Sequence, residues 1–138
     1  MPKQVNCDLP DDLEPSPAFI SRMAAEILEE HGLSDYIISI SMIAGLEMAG
    51  LNQRFKGVAG STDVLSFVLD ESPLEAEIYL NRGQIRLSAD ADGISPAWEI
   101  VKLVIHGILH SLGYHHGSPE EKAVNDRMMR EYLDKYML

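Results

Sequence analysis

Residues 95–116 read Ser95-Pro-Ala-Trp-Glu-Ile-Val-Lys-Leu-Val-Ile-His106-Gly-Ile-Leu-His110-Ser-Leu-Gly113-Tyr-His-His116. Ser95 followed by Pro96 is an N-cap and first-turn pair. Ile100, Leu103, Val104, Ile108 and Leu112 then leave little polar surface except histidine, so the stretch predicts a central buried helix that stops at Gly113. His106 and His110 are four residues apart and share one helical face. Gly113 can adopt the left-handed conformation that turns the chain back, which lets His116 complete an HxxxHxxGxxH pattern.

One histidine on an apolar helix is more often a hydrogen-bonded core residue, but three at this spacing point to a metal. Cys7 is alone, so histidine and carboxylate are the available ligands. Three protein ligands with one position left open is the arrangement of catalytic zinc, and we expect one Zn2+ per chain on His106, His110 and His116. His115 adjoins the third ligand and is able to compete with it or to move a proton. Zincin proteases place a glutamate after the first histidine as general base, whereas this chain has Gly107. Met128 and Met129 read as core residues at helical spacing, not as a Met-turn.

Outward from this helix, a Pro-rich acidic leader (residues 1–15, strand or loop) precedes a helix opened by Ser16-Pro17 and ending at Gly32. Tyr36–Ile43 predicts a strand, and residues 45–55 a short helix. Lys56–Ser61 reads as a loop, and Val64–Leu69 and Ala76–Leu80 as strands. Gln84–Leu87 alternates after Asn81-Arg-Gly83, which predicts a hairpin with the preceding strand. Ser118-Pro-Glu-Glu121 is a capping box for a last helix.

With 138 residues and 46% hydrophobic content the chain builds one domain, 1–138. Its apolar runs fall far short of the roughly 20 residues of a membrane helix. No export signal is visible, which leaves the cytoplasm as the expected location. A net charge of −11 argues against broad, non-specific nucleic-acid binding, and no DNA partner is expected. It leaves room for a local site, because Arg54, Lys56, Arg82, Arg86 and Lys102 can gather on one face.

The segment His106–His116 resembles the signature of the YbeY family of rRNA-maturation endoribonucleases. Leu51-Asn52 with a basic loop and then Thr62-Asp-Val-Leu-Ser-Phe67 resembles the family's second signature, and Gly83-Gln-Ile-Arg-Leu-Ser88 resembles its strand after a glycine. Order and spacing match from about residue 36 onward. The resemblance implies a single α+β domain in which a small four-stranded sheet, mostly antiparallel or mixed, packs with several helices around a zincin-like central helix. It implies zinc on the histidine triad and single-strand-specific RNA cleavage in 16S rRNA processing and ribosome quality control. Single-stranded rRNA and the small ribosomal subunit are then the expected partners.

Two positions depart from the family pattern: His115 stands where aspartate is usual, and Lys56 where a functional arginine is usual, with Arg54 nearby. We take Lys56 and His115 as catalytic candidates, and Arg54, Arg82 and Arg86 as substrate-binding candidates. Lys56 as a solvated loop lysine is the plain alternative, and lysine lacks arginine's bidentate phosphate contact. Thr62, Asp63 and Ser66 fit turn chemistry better than catalysis. Trp98 and Tyr114 are able to stack on a base, though Trp98 fits packing better. Competing functions are an assembly factor that keeps its zinc but has weakened catalysis, and a metallohydrolase of another substrate class such as a peptidase.

Overall fold

A computed structural model describes residues 2–57, 60, 62–115 and 117–137. In chain order the elements are β1 (Lys3–Asp8), α1 (Pro17–Glu30), β2 (Tyr36–Ile43), α2 (Gly45–Leu51), a π-helical turn (Asn52–Lys56), β3 (Val64–Glu71), β4 (Leu74–Asn81), α3 (Arg82–Asp92), α4 (Pro96–Ser111) and α5 (Pro119–Tyr136). This is the expected single α+β domain with a four-stranded sheet and several helices.

The strands lie in the order β1-β2-β4-β3. β1 and β4 both pair with β2 in parallel, and only β3 with β4 is antiparallel. The sheet is therefore mixed, with more parallel than antiparallel pairing, because the acidic leader supplies an edge strand. A parallel partner carries no hairpin turn to announce it in sequence. Ile38, Ile40, Ala76, Ile78 and Leu80 alternate onto one face of the sheet and are buried there. Against that face lie Ile20, Met23, Ala24, Ile27 and Leu28 of α1 and the apolar stripe of α4, forming one core.

The hairpin expected at Gln84–Leu87 is instead the first half of α3. Asn81 decides this: its Oδ1 accepts the Gly83 and Gln84 amides at 3.1 and 3.2 Å, which caps a helix where the sequence suggests a turn. Ile85 and Ala89, four residues apart, are the buried pair of that helix. The helix read at 45–55 runs through α2 into the π-helical turn and closes at Gly57, whose φ is +68°.

α4 approaches the sheet closely at Gly107. A β-carbon there would lie 3.0 to 3.2 Å from three side-chain carbons of Ile78, which is itself fully buried. Gly107→Ala should therefore lower stability by about 1–3 kcal/mol through overpacking, against the gain of up to about 1 kcal/mol that alanine normally brings to a helix. Thermal unfolding checks this, and adding Ile78→Val should recover part of the loss; a Gly107→Ala protein more stable than wild type would contradict the packing account.

Candidate functional site

The Ser95 hydroxyl accepts the Trp98 amide at 3.3 Å and starts α4. At its other end, Gly113 N donates to His110 O and Tyr114 N to Leu109 O, both at 3.0 Å, with Gly113 at φ +100°. This is a Schellman closure, and it turns the chain back over the end of the helix. The His106 and His110 rings stand 5.4 Å apart between centroids at 23°. His115 is brought back against His110, at 4.9 Å and nearly perpendicular. Three imidazoles thus meet in sequence along the end of α4. His116, expected as the third ligand, lies outside the described residues, and among the described residues no three metal-binding side chains form a complete cluster.

His106 opens on a pocket of about 210 Å³ that it shares with Asp63, Val64, Lys102, Leu103 and Met129. The second sequence motif therefore meets the histidine helix at Asp63. Asn81 holds that junction: its Nδ2 donates to Thr62 O, and its backbone amide donates to Asp63 O, both at 2.9 Å. Asn52 similarly donates to Gly60 O at 3.0 Å and closes the preceding loop. Thr62 and Asp63 are held here through their backbone carbonyls, and Asp63 in addition lines the pocket.

The remaining candidates are dispersed. Lys56 Nζ lies 5.3 Å from the centroid of the Phe67 ring, and Arg54 5.7 Å from that of Phe55. Phe67 pairs with Glu77 while Ser66 pairs with Ile78, so by strand alternation Phe67 and Lys56 sit on the face of the sheet opposite α4. Arg82 and Arg86 are exposed on α3. The five cations therefore fall into three groups, Arg54 and Lys56 at the Phe55 and Phe67 rings, Arg82 and Arg86 on α3, and Lys102 at the His106 pocket. Trp98 makes an edge contact with Phe19, and the Tyr114 hydroxyl lies 3.1 Å from His31 Nε2, so both aromatics are engaged in packing.

Sequence reading passed over Glu99. It lies seven residues before His106 on the same stripe of α4 and is 2% exposed. Lys102 Nζ is 4.0 Å from Glu99 Oε2 and donates to Asp92 Oδ2 at 2.7 Å. Burial, then a hydrogen bond with Asp92, raises the Glu99 carboxyl, while the Lys102 charge opposes the rise. The hydrogen bond from Lys102, then the one with Glu99, lowers Asp92. A charged residue at an apolar position of the helical repeat was the available signal.

Fold and site together define a small α+β domain with imidazoles gathered at the exit of its buried helix. The sequence model of the family described as endoribonuclease YbeY matches residues 11–137. An endoribonuclease YbeY of Pelotomaculum thermopropionicum is 34% identical over 129 residues, covering 86% of this chain and 85% of that protein. One of Persephonella marina is 32% identical over 111 residues, covering 76% and 72%. The solution structure of a Thermotoga maritima protein matches with a TM-score of 0.60 at 23% identity, over 97% of this chain and 92% of that one, a likeness of fold. The chain belongs to the endoribonuclease YbeY family, and with that membership it is a nuclease, a hydrolase enzyme.

The raised Glu99 carboxyl sets the sign of a pH effect. Its burial costs nothing below the ordinary carboxylate range, where folded and unfolded forms are both protonated, and the cost grows as pH rises through its elevated folded value. Lys102 offsets that cost. Lys102→Met should therefore destabilise the protein more at pH 8 than at pH 4, by about 1–3 kcal/mol for a buried group left without its counter-charge. Chemical denaturation at the two pH values measures this, and Glu99→Gln in the same protein should remove most of the difference.

Proposed function

We propose that this protein is a zinc-dependent, single-strand-specific endoribonuclease that acts in 16S rRNA maturation and ribosome quality control in the cytoplasm. Single-stranded rRNA and the small ribosomal subunit are its partners. The observation that carries the reading is the imidazole cluster itself: His106 and His110 stacked on one helical face, with the Gly113 turn folding His115 back onto His110. No helix among the described residues is long and apolar enough to cross a membrane.

The donor set fits zinc. The ion prefers imidazole nitrogen at about 2.0–2.1 Å, and two near-parallel rings one helical turn apart can aim nitrogens at one ion. In this reading His106, His110 and His116 hold it, and when bound it supplies a Lewis acid for a phosphoryl oxygen. His115, against His110, is the group placed to move a proton. Lys102 holds an ammonium in the pocket beside His106. Lys56 serves the substrate at a distance from the histidines, as a phosphate contact on the other face of the sheet. Gly107 faces Ile78 in the core, so position 107 offers no place for the glutamate base of a zincin protease.

Purified wild-type protein should contain about one zinc per chain and cut single-stranded RNA, and His110→Ala should lose both. Elemental analysis and cleavage of a labelled oligonucleotide check this. Full zinc in a wild type that cuts no faster than His110→Ala would favour an assembly factor over a nuclease. Product end groups separate the two nucleophiles, since attack by the RNA 2′-hydroxyl leaves a cyclic phosphate and attack by water does not. Lys56→Arg and His115→Asp should each raise the cleavage rate if those positions act in catalysis, and unchanged rates in both would remove them from the site.

A further inference from the structure

The face of the sheet turned away from α4 carries a set of rings that neither the core nor the histidine cluster uses. Phe55 and Phe67 meet edge to face at 5.5 Å, and Phe67 and Tyr79 at 6.0 Å. Phe55 is 60% exposed and Leu69 57%, large values for residues of this type. Together with Leu51 and Arg54 they line an open groove of about 460 Å³. The guanidinium of Arg54 and the ammonium of Lys56 sit against these rings.

Charge distinguishes this patch from a plain apolar surface. Lys3, Lys102, Lys122 and Lys135 are each paired with a carboxylate. Among the described residues Arg54 and Lys56, like the other arginines, have no carboxylate within ion-pair distance, and what sets these two apart is their place against exposed rings. Burial, then the interaction with Glu77, the acidic member of the groove, raises the Tyr79 phenol. The exposed rings thus have cations beside them, and an unpaired nucleic-acid strand offers phosphates to the cations and bases that are free to stack on aromatic faces.

We infer that the groove formed by Phe55, Phe67 and Tyr79 is a base-stacking platform for single-stranded RNA, with Arg54 and Lys56 contacting the flanking phosphates. The inference rests on the nuclease reading for the identity of the strand. β3 links the platform to the pocket: Phe67 stands on the groove, and Val64, three residues earlier, lines the His106 pocket. At about 3.3 Å per residue the two are about 10 Å apart along the strand. RNA held on the platform therefore lies beside the edge of the sheet that leads to the histidines.

The test is fluorescence anisotropy with a labelled 12-nucleotide oligouridylate and an abasic oligomer of equal length, in the His110→Ala protein so that the probe stays intact. Phe55→Ala and Phe67→Ala should each weaken oligouridylate binding about 10-fold, and Phe67→Trp should retain it. The abasic oligomer should bind weakly to all of them. Phe55 is exposed enough that its loss leaves the fold alone, and circular dichroism confirms this for each variant. Unchanged affinity in both alanine variants, or an abasic oligomer bound as tightly as oligouridylate, overturns the platform. A dimer that Phe55→Ala dissociates without affecting RNA affinity overturns it too, in favour of a second copy of the chain. Cleavage lost in His110→Ala alongside unchanged affinity in the phenylalanine variants leaves the nuclease standing without the platform. Ring-dependent binding in a wild type that cuts nothing leaves the platform standing without the nuclease.

Discussion

Where α4 crosses β4, a β-carbon at position 107 would come within 3.0 to 3.2 Å of Ile78, so the helix rests on the sheet through a residue with no side chain. That contact sets the rotation of α4 about its own axis. With Gly107 turned into the sheet, His106 and His110 are carried to the flank of the helix. There His106 meets the start of β3 and Met129 of α5, and neither ring is swallowed by the core. The N-terminal half of the same stripe, Glu99 and Leu103, is nevertheless buried, and there α3 packs against α4. The close approach at Gly107 decides which imidazoles face the pocket, and the cover over the N-terminal half decides that Glu99 is trapped.

The parts that local physics controls were legible in the sequence. α1, α4 and α5 each begin at a serine-proline pair whose hydroxyl caps the helix, and each carries its apolar residues at helical period. Gly113 as a stop was readable for the same reason, since a left-handed residue after an apolar run has few other uses. The stretch Gln84–Leu87 was not. Four alternating residues suit a strand and an amphipathic helix alike, and the tie is broken by Asn81, whose side chain caps α3 and pins Thr62 at once. The second of those bonds joins positions nineteen residues apart, and no local pattern encodes it. β1 stayed open between strand and loop by the same limit, because its partner β2 lies beyond an intervening helix.

At the site, legibility followed the same division. The i, i+4 pair His106 and His110 is a property of the helix, whereas the placement of Lys56 depends on how the π-helical turn lies over β3. The aromatic pair Trp98 and Tyr114 shows the difference well: both have the chemistry to stack on a base, and both are spent on neighbours, Phe19 and His31. Exposure is a tertiary property, and it picks out Phe55 instead.

An acidic chain that handles RNA faces a contradiction between ranges. A net charge of −11 repels a polyanion at distances beyond the Debye length of about 8 Å, where only the total charge is felt. Inside that length the local arrangement governs, and the lysines of this chain divide accordingly. Most are neutralised by carboxylates, and a neutralised lysine offers little to a phosphate. None of the ion pairs among the described residues involves an arginine, so phosphate contacts fall to the arginines and Lys56, and in the platform reading rings against bases add what charge does not supply. Stacking works only on unpaired strands, because a duplex keeps its base faces buried against one another. On the proposed platform the discrimination would come from the rings, which find free base faces on a single strand and none on a duplex, while the acidity of the chain would weaken the charge-driven binding that both share.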